Sequence, residues 1–307
     1  MSVQCNLILD SCCDLPRSVI EREGVALIQF PYMFGEEQHL DDMFASFPPE
    51  DFYERIRKGG QPSTAQVPIP VLQQAFTRAA QSGVPTVYLA FSSGLSGTFA
   101  TAQLIADQVR EEYPEAELHL VDTGLASIAE GLLVYEALRQ RERGLSASQL
   151  AQWAQEAKFY VNCLFMVDDL DCLARGGRLP SVGAYLGSKL DVKPLVSFDL
   201  EGHLSMSGVA RGRKKAMKQI VEACASGMNV DGGQTVIAAS ADAAKDLRKM
   251  IDMLIKENPA AVVVESSIGP VIGSHVGPGM VALVWWGADR RERLSISDRI
   301  ARKVKGE

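Results

Sequence analysis

VPTVYLAFSSGLSGT, residues 84–98, runs from an apolar, β-rich stretch (Val84 to Phe91) into a serine- and glycine-rich turn (Ser92 to Thr98), and a helical pattern follows from Phe99 to Tyr113. A strand that ends in Ser and Gly and then opens a helix puts free backbone N–H groups, hydroxyls and a positive dipole end at one spot, a receptor for an anion. Capping the helix needs only one serine and is worth about 1 kcal/mol. Three serines and two glycines in seven residues exceed that need and indicate a binding loop. A nucleophilic serine would sit in G-x-S-x-G, whereas Ser96 lies in Gly94-Leu95-Ser96-Gly97, one residue short of that elbow.

Working outward, strand and helix alternate through the first half of the chain. Val3–Leu9, Val25–Phe34, Val84–Phe91 and Leu118–Asp122 read as strands. Helical patterns cover Pro49–Lys58, Pro70–Ser82, Phe99–Tyr113 and Leu125–Arg141. DSCCDLP (10–16) reads as a turn, with Asp14 as helix N-cap and Pro16 in the first helical turn. This alternation predicts a parallel sheet covered by helices. After a break at 141–148 and a helix to Lys158, strands 159–167, 192–198, 203–209, 235–240, 260–266 and 280–286 alternate with helices 213–228 and 241–257. Strands 192–198 and 203–209 pair as a hairpin across Asp199 to Gly202. Two α/β domains are therefore expected, 1–158 with a parallel sheet and 159–307 with a mixed one, and the tail after Gly287 reads as a charged helix.

Composition narrows the function classes. With 47% apolar and 22% charged residues the chain can bury a full-sized core, and its net charge of −7 argues against a nucleic-acid partner held by a broad basic field. Basic clusters at 211–215 and 290–305 read as solvated faces. No run reaches the roughly 18 apolar residues that a membrane span needs, and the first residues lack the pattern of a secretory signal. Six cysteines without a C-x-x-C pair and four scattered histidines give no metal-ligand spacing, so no metal or cofactor is expected. Reduced thiols fit a cytoplasmic location.

Three further segments carry chemistry. IGPVIGSHVGPGM (268–280) sets His275 among four glycines and two prolines, a backbone too glycine-rich for a core and open to a ligand's approach. GGQPSTAQVPIP (59–70) reads as an exposed loop centred on Thr64. DDLDCLARGGRLP (168–180) ends a short helix at a glycine turn carrying Arg178.

Taken together these segments resemble the DegV family, the fatty-acid-binding subunits that work with a bacterial fatty-acid kinase. DSCCDLP, SSGLSGT, VDTGLASIAEGLL (121–133), LARGGRL (173–179) with DVKPLVSFDLEGHL (191–204), and GPVIGSHVGPG (269–279) match family segments in order. Where the family usually has Thr-Ser-Gln-Pro-Ser, this chain has Thr64-Ala65-Gln66-Val67-Pro68. The resemblance implies two α/β domains with a lipid tunnel between them. It implies a carboxylate held by Thr64, Ser96 and His275, with Ser93 and Gly97 as lesser candidates. A separate kinase would then form acyl phosphate on the presented acid, docking through Arg178, Arg211 and Arg213, with at most transient contact with a membrane surface. Burying about 15 methylenes at ~0.8 kcal/mol each would supply on the order of 12 kcal/mol gross, against roughly 1.5–3 kcal/mol per charge-assisted hydrogen bond. The tunnel would then set affinity and the polar cluster orientation. The alternatives from the residues alone are a binder of a small phosphorylated or polar metabolite at the same loop, and a serine hydrolase of acyl esters using Ser96 and His275. The chain has no G-x-x-x-x-G-K-[ST] loop with which to transfer phosphate itself.

Overall fold

The computed structural model describes residues 3–168, 170–179, 192–228 and 235–293. Strands β1 (Asn6–Asp10), β2 (Val25–Ile28), β6 (Thr86–Ala90) and β7 (Leu118–Asp122) form a parallel sheet in the order β2-β1-β6-β7. The order reverses direction between β1 and β6, and such a switch point opens a crevice at the carboxyl ends of the strands. The loop 91–97 leaves β6 at that crevice. Around the sheet lie α1 (Arg17–Ile20), α2 (Pro49–Arg57), α3 (Ile69–Gln81), α4 (Thr98–Glu112), α5 (Ser127–Glu142) and α6 (Ala147–Ala157).

Two expectations fail in this half. The single strand read over 25–34 is two strands in different sheets. Pro31 has no N–H to give a parallel ladder, and it opens β3 (Pro31–Phe34), which pairs antiparallel with β4 (Glu37–Leu40) and β5 (Pro62–Thr64). The loop read over 59–70 therefore contains a strand, and the Tyr32–Thr64 register fixes where Thr64 sits. Asp14 does not cap α1 either. Pro16 occupies that N-cap, while Asp14 is buried in a left-handed conformation (φ 48°) with its carboxyl group turned inward.

The second sheet has six strands: β8 (Val161–Met166), β9 (Val192–Phe198), β10 (Leu204–Arg211), β11 (Thr235–Ser240), β12 (Val262–Ser267) and β13 (Val281–Trp286). Their order is β10-β9-β8-β13-β11-β12, antiparallel except for β11 with β12. Strand periodicity splits its faces. Val236, Ala238, Val281 and Leu283 face α8 (Arg213–Gly227) and α9 (Ala244–Glu257), packing with Ile220, Met250 and Leu254. Their neighbours Ile237, Ala239, Ala282 and Val284 belong instead to one apolar cluster shared with Leu7, Leu89 and Leu132 of the first half. Helix α5 lies in that seam and packs on β8, β11 and β13. Two short helices, α7 (Asp171–Gly176) and α10 (Pro270–Val276), complete the described elements. The expected charged helix after Gly287 shows one 3-10 turn at Arg290–Arg293, and its remainder, 294–307, lies outside the described residues. None of the described helices is long and apolar enough to cross a membrane.

Candidate functional site

The three serines of SSGLSGT have three different fates. Ser92 is buried, and its hydroxyl donates to the carbonyl of Gly202 at the tip of the β9–β10 hairpin (2.8 Å). The tip comes so near that a Cβ on Gly94 would stand 2.8 Å from its backbone, so this glycine makes room for protein rather than ligand. Ser93 is exposed, and both its N–H and its O–H donate to the Asp122 carboxylate. An anion already sits there. Ser96 alone of the three lines the cavity described below. Its Oγ accepts the Thr98 N–H (3.2 Å) and bonds to Thr98 Oγ1 (3.0 Å), which accepts the Val67 N–H (3.3 Å) and so ties the Thr64 segment to the loop. Gly97 is the exposed N-cap of α4, packed against the Gln66 amide, and like Ser93 it is off the cavity wall.

His275 comes from the opposite side of the seam. The segment expected to be an open glycine loop forms α10, begun by Pro270 at the favoured first position and ended by Gly277. Its internal glycine also serves packing. A Cβ on Gly273 would stand 2.5 Å from the Tyr53 hydroxyl, which donates to the Ile268 carbonyl (2.7 Å). Near the end of this helix, His275 Nε2 meets Thr64 Oγ1 at 2.8 Å. Burial first, then the Arg178 guanidinium, push the imidazole down to about 4, so it is neutral at physiological pH. In the Nε2–H tautomer His275 donates to Thr64, whose own O–H is left for a third group. The other ring nitrogen, Nδ1, is buried without a partner and faces Gly176, where a Cβ would approach it to 2.3 Å. The pairing that hydrolysis requires is not formed: Ser96 bonds to Thr98, His275 to Thr64, and no carboxylate orients Nδ1.

Arg178, expected as a possible docking residue, lies at the same place. Gly177, left-handed at φ 68°, ends α7 and turns the chain. The Arg178 guanidinium then donates to the carbonyls of Leu95 (3.3 Å) and Gly176 and lines the cavity. Arg213 is instead held by Asp168 (2.9 Å) and Asp246, and Arg211 is exposed at the end of β10. Neither lines the cavity.

A cavity lies between the two sheets. Phe30, Phe91 and Ile128 come from the first half, and Phe165, Phe198 and Val276 from the second. Its polar groups are few: Thr64, Gln66, Ser96, Ser127, Arg178 and His275, among which Arg178 is the sole charged side chain of the described lining. Sequence reading assigned no role to Gln66 or Ser127. Ser127 lies within 121–133, but nothing local marks a serine that opens a helix at φ 54°. Among the described residues no group of three His, Cys, Asp or Glu could hold a metal ion, and all six cysteines are free thiols.

Residues 4–287 match the DegV family, whose members are described as uncharacterised proteins, and the match ends where the charged tail begins. A DegV domain-containing protein of Clostridium perfringens is 33% identical over 281 residues, covering 92% of this chain and 97% of the relative. DegV of Bacillus subtilis, a fatty acid binding protein, matches in structure with a TM-score of 0.78 at 28% identity, over 94% of this chain and 100% of that one. A fatty-acid-binding DegV family protein of Thermus thermophilus matches with a TM-score of 0.77 at 28% identity, over 93% and 100%.

Proposed function

The chain belongs to the DegV family, and from that premise we propose that it binds one long-chain fatty acid and presents the carboxylate to a separate kinase subunit. The observation that carries this reading is a cavity lined mainly by apolar side chains, with Thr64, Ser96, Arg178 and His275 among its few polar groups. In this reading the acyl chain lies between two domains, 1–158 and 159–307. The carboxylate meets Thr64 and Ser96 as hydroxyl donors, His275 as a neutral imidazole and Arg178 as counter-charge. The fatty acid is the ligand, and no cofactor takes part.

The polar end also favours a lipid over the rival clients. A small phosphorylated or polar metabolite would leave the aromatic and aliphatic wall against water, at about 25 cal/mol for each Å². A hydrolase would need the Ser96–His275 pairing, which is not formed. The absence of a G-x-x-x-x-G-K-[ST] loop supports handing the acid to a separate kinase, for which exposed Arg211 with Lys214 and Lys215 offers a basic docking edge near Arg213. A cytoplasmic location belongs to the same reading. Organic extraction of the purified protein followed by mass spectrometry tests binding: close to one fatty acid per chain is expected, and no extracted acid together with no uptake of oleate or palmitate refutes it. Addition of a fatty-acid kinase catalytic subunit and ATP tests presentation, with hydroxylamine trapping of acyl phosphate as the readout.

A further inference from the structure

Asp14, which caps no helix of its own, sits where the two walls of the cavity begin. Its Oδ1 accepts the N–H of Gly269 (2.9 Å), the residue that opens α10. Its Oδ2 accepts the hydroxyl of Ser127 (2.5 Å), the first residue of α5. Its backbone carbonyl accepts the hydroxyl of Ser266, at the end of β12. Neither helix has a side-chain cap from its own N-cap residue, since Ala126 and Gly269 supply none. Both begin at a residue that one buried carboxyl group from a distant turn holds in place, Ser127 by its hydroxyl and Gly269 by its backbone N–H. A Cβ on Gly269 would stand 2.5 Å from Asp14 Oδ1 and 3.4 Å from Asp41 Oδ2, so the approach requires glycine.

What the two helices carry gives the contact its meaning. Ser127, Ile128 and Ala129 of α5 line the cavity from the first half, and Val271, Ile272, His275 and Val276 of α10 line it from the second. Gly269 and His275 are six residues apart, about 9 Å along the helix axis. Helix α10 has only seven residues, too few to hold its own direction without tertiary ties. We propose that Asp14 is a positioning residue for the polar end of the cavity: it fixes the starts of α5 and α10 to one group and so sets His275 against Thr64. This extends the fatty-acid reading, since the consequence for ligand retention rests on it. The consequence for His275 does not.

Three variants separate the outcomes. Asp14→Ala leaves the Gly269 N–H and the Ser127 hydroxyl without their partner. Asp14→Asn keeps an oxygen for Gly269 and offers an N–H to Ser127. Gly269→Ala keeps Asp14 and forces the two apart. His275 is followed by imidazole ¹⁵N NMR in lipid-free protein at pH 6, and release of a bound fluorescent long-chain fatty acid is followed by stopped flow. In wild type His275 is neutral at this pH, its imidazole being held down at about 4. Asp14→Ala and Gly269→Ala are expected to give a partly protonated His275 and to speed release about tenfold, equivalent to ~1.4 kcal/mol. Asp14→Asn is expected to restore both readouts. Wild-type His275 spectra in Asp14→Ala overturn the proposal, as does an Asp14→Asn protein that is folded yet behaves like Asp14→Ala. If Asp14→Ala does not fold, Gly269→Ala decides, and a wild-type spectrum there overturns it. Because the spectra come from lipid-free protein, they test the positioning role even if no fatty acid binds.

Discussion

The polar end of the cavity and the layer of carboxyl groups behind it are both buried, both built at strand ends, and opposite in chemistry. At the cavity end, Thr64, Ser96, His275 and Arg178 face one empty volume, and the formal charge is that of Arg178. Behind it, Asp10, Asp14, Asp41 and Glu130 are each at most 3% exposed. Backbone N–H groups satisfy much of this layer: Asp10 accepts from Phe91 (2.7 Å) and Cys12 (3.1 Å), and Asp41 accepts from Met43 (2.9 Å). The Asp10–Phe91 bond spans β1 and the exit of β6, the switch point of the parallel sheet. Burial drives both regions toward neutrality by opposite proton movements. The imidazole of His275 loses its proton, while desolvation pushes Asp10 and Asp41 up to about 7 and Asp14 and Glu130 well above the carboxylate range. One region turns its polarity into the cavity, and the other uses it to pin loops. Binding and stability should therefore answer to different groups and different pH ranges.

The largest expected effect separates them by pH. Asp10 and Asp41 bind a proton up to about 7 when folded, against an ordinary value of 3.8. The folded chain thus holds more protons than the unfolded chain in this window, and stability falls as pH rises through it. From pH 5 to pH 8 the unfolding free energy should drop by a few kcal/mol, as each pKa unit is worth about 1.4 kcal/mol per group. Chemical denaturation across that range measures it, and a flat profile removes the claim. Asp41→Asn should flatten the slope at little cost. Its retained oxygen can still accept from Met43. The same substitution should leave the ligand's affinity unchanged at pH 6.

Next in size is a change that touches only the ligand side. Ala129 is fully buried on α5 and lines the cavity. Ala129→Phe would place a ring where about four methylenes of the ligand lie, costing ~3 kcal/mol at ~0.8 kcal/mol each, or about a hundredfold in affinity. Decanoate, which is shorter, should lose less than oleate, and isothermal titration of both acids checks this. Arg178→Met should weaken oleate by roughly 1.5–3 kcal/mol, the range for a hydrogen bond to a charged group. It should leave oleate methyl ester unaffected, because the ester carries no charge to match. Equal losses for acid and ester would mean that Arg178 acts by packing alone.

Much of the fold is legible in sequence where strands are long and apolar. Leu118–Asp122, Val192–Phe198 and Thr235–Ser240 begin and end where their patterns do. The small sheet is not legible, because strands of three or four residues carry too little periodicity, and Thr64 is placed by pairing with Tyr32, which lies 32 residues earlier. Helix α10 is hidden by a low helix propensity, with glycine and proline within seven residues, and it forms because Tyr53 and Asp14 hold its start. The site itself is half legible. That SSGLSGT and His275 carry polarity can be read from residue types, whereas Thr64 reads alone as part of an exposed loop and enters only through the family resemblance. Which serine faces the cavity cannot, since Ser92 answers to Gly202, 110 residues away, and Ser93 to Asp122, 29 away.

Those serines supply the finest test of the difference between a polar group aimed at a ligand and one that pins a loop. Ser96→Ala removes one neutral, half-buried hydroxyl from the cavity wall and with it the acceptor of the Thr98 N–H. The expected loss of oleate affinity is about 1 kcal/mol, near fivefold, with little change in melting temperature. Ser93→Ala removes a donor to Asp122 on the exposed side of the same loop. It should leave affinity within error and lower stability by at most about 0.5 kcal/mol, as surface substitutions do. Ser92→Ala should show the reverse of Ser96→Ala. It leaves the carbonyl of Gly202 and the N–H of Gly94 without their buried partner, at a cost of roughly 1–3 kcal/mol in stability. Affinity should then fall only as far as the hairpin tip loosens the seam. Titration of oleate and thermal melts on the three variants give six numbers, and an affinity loss in Ser93→Ala equal to that in Ser96→Ala would collapse the distinction between the two sides of the loop.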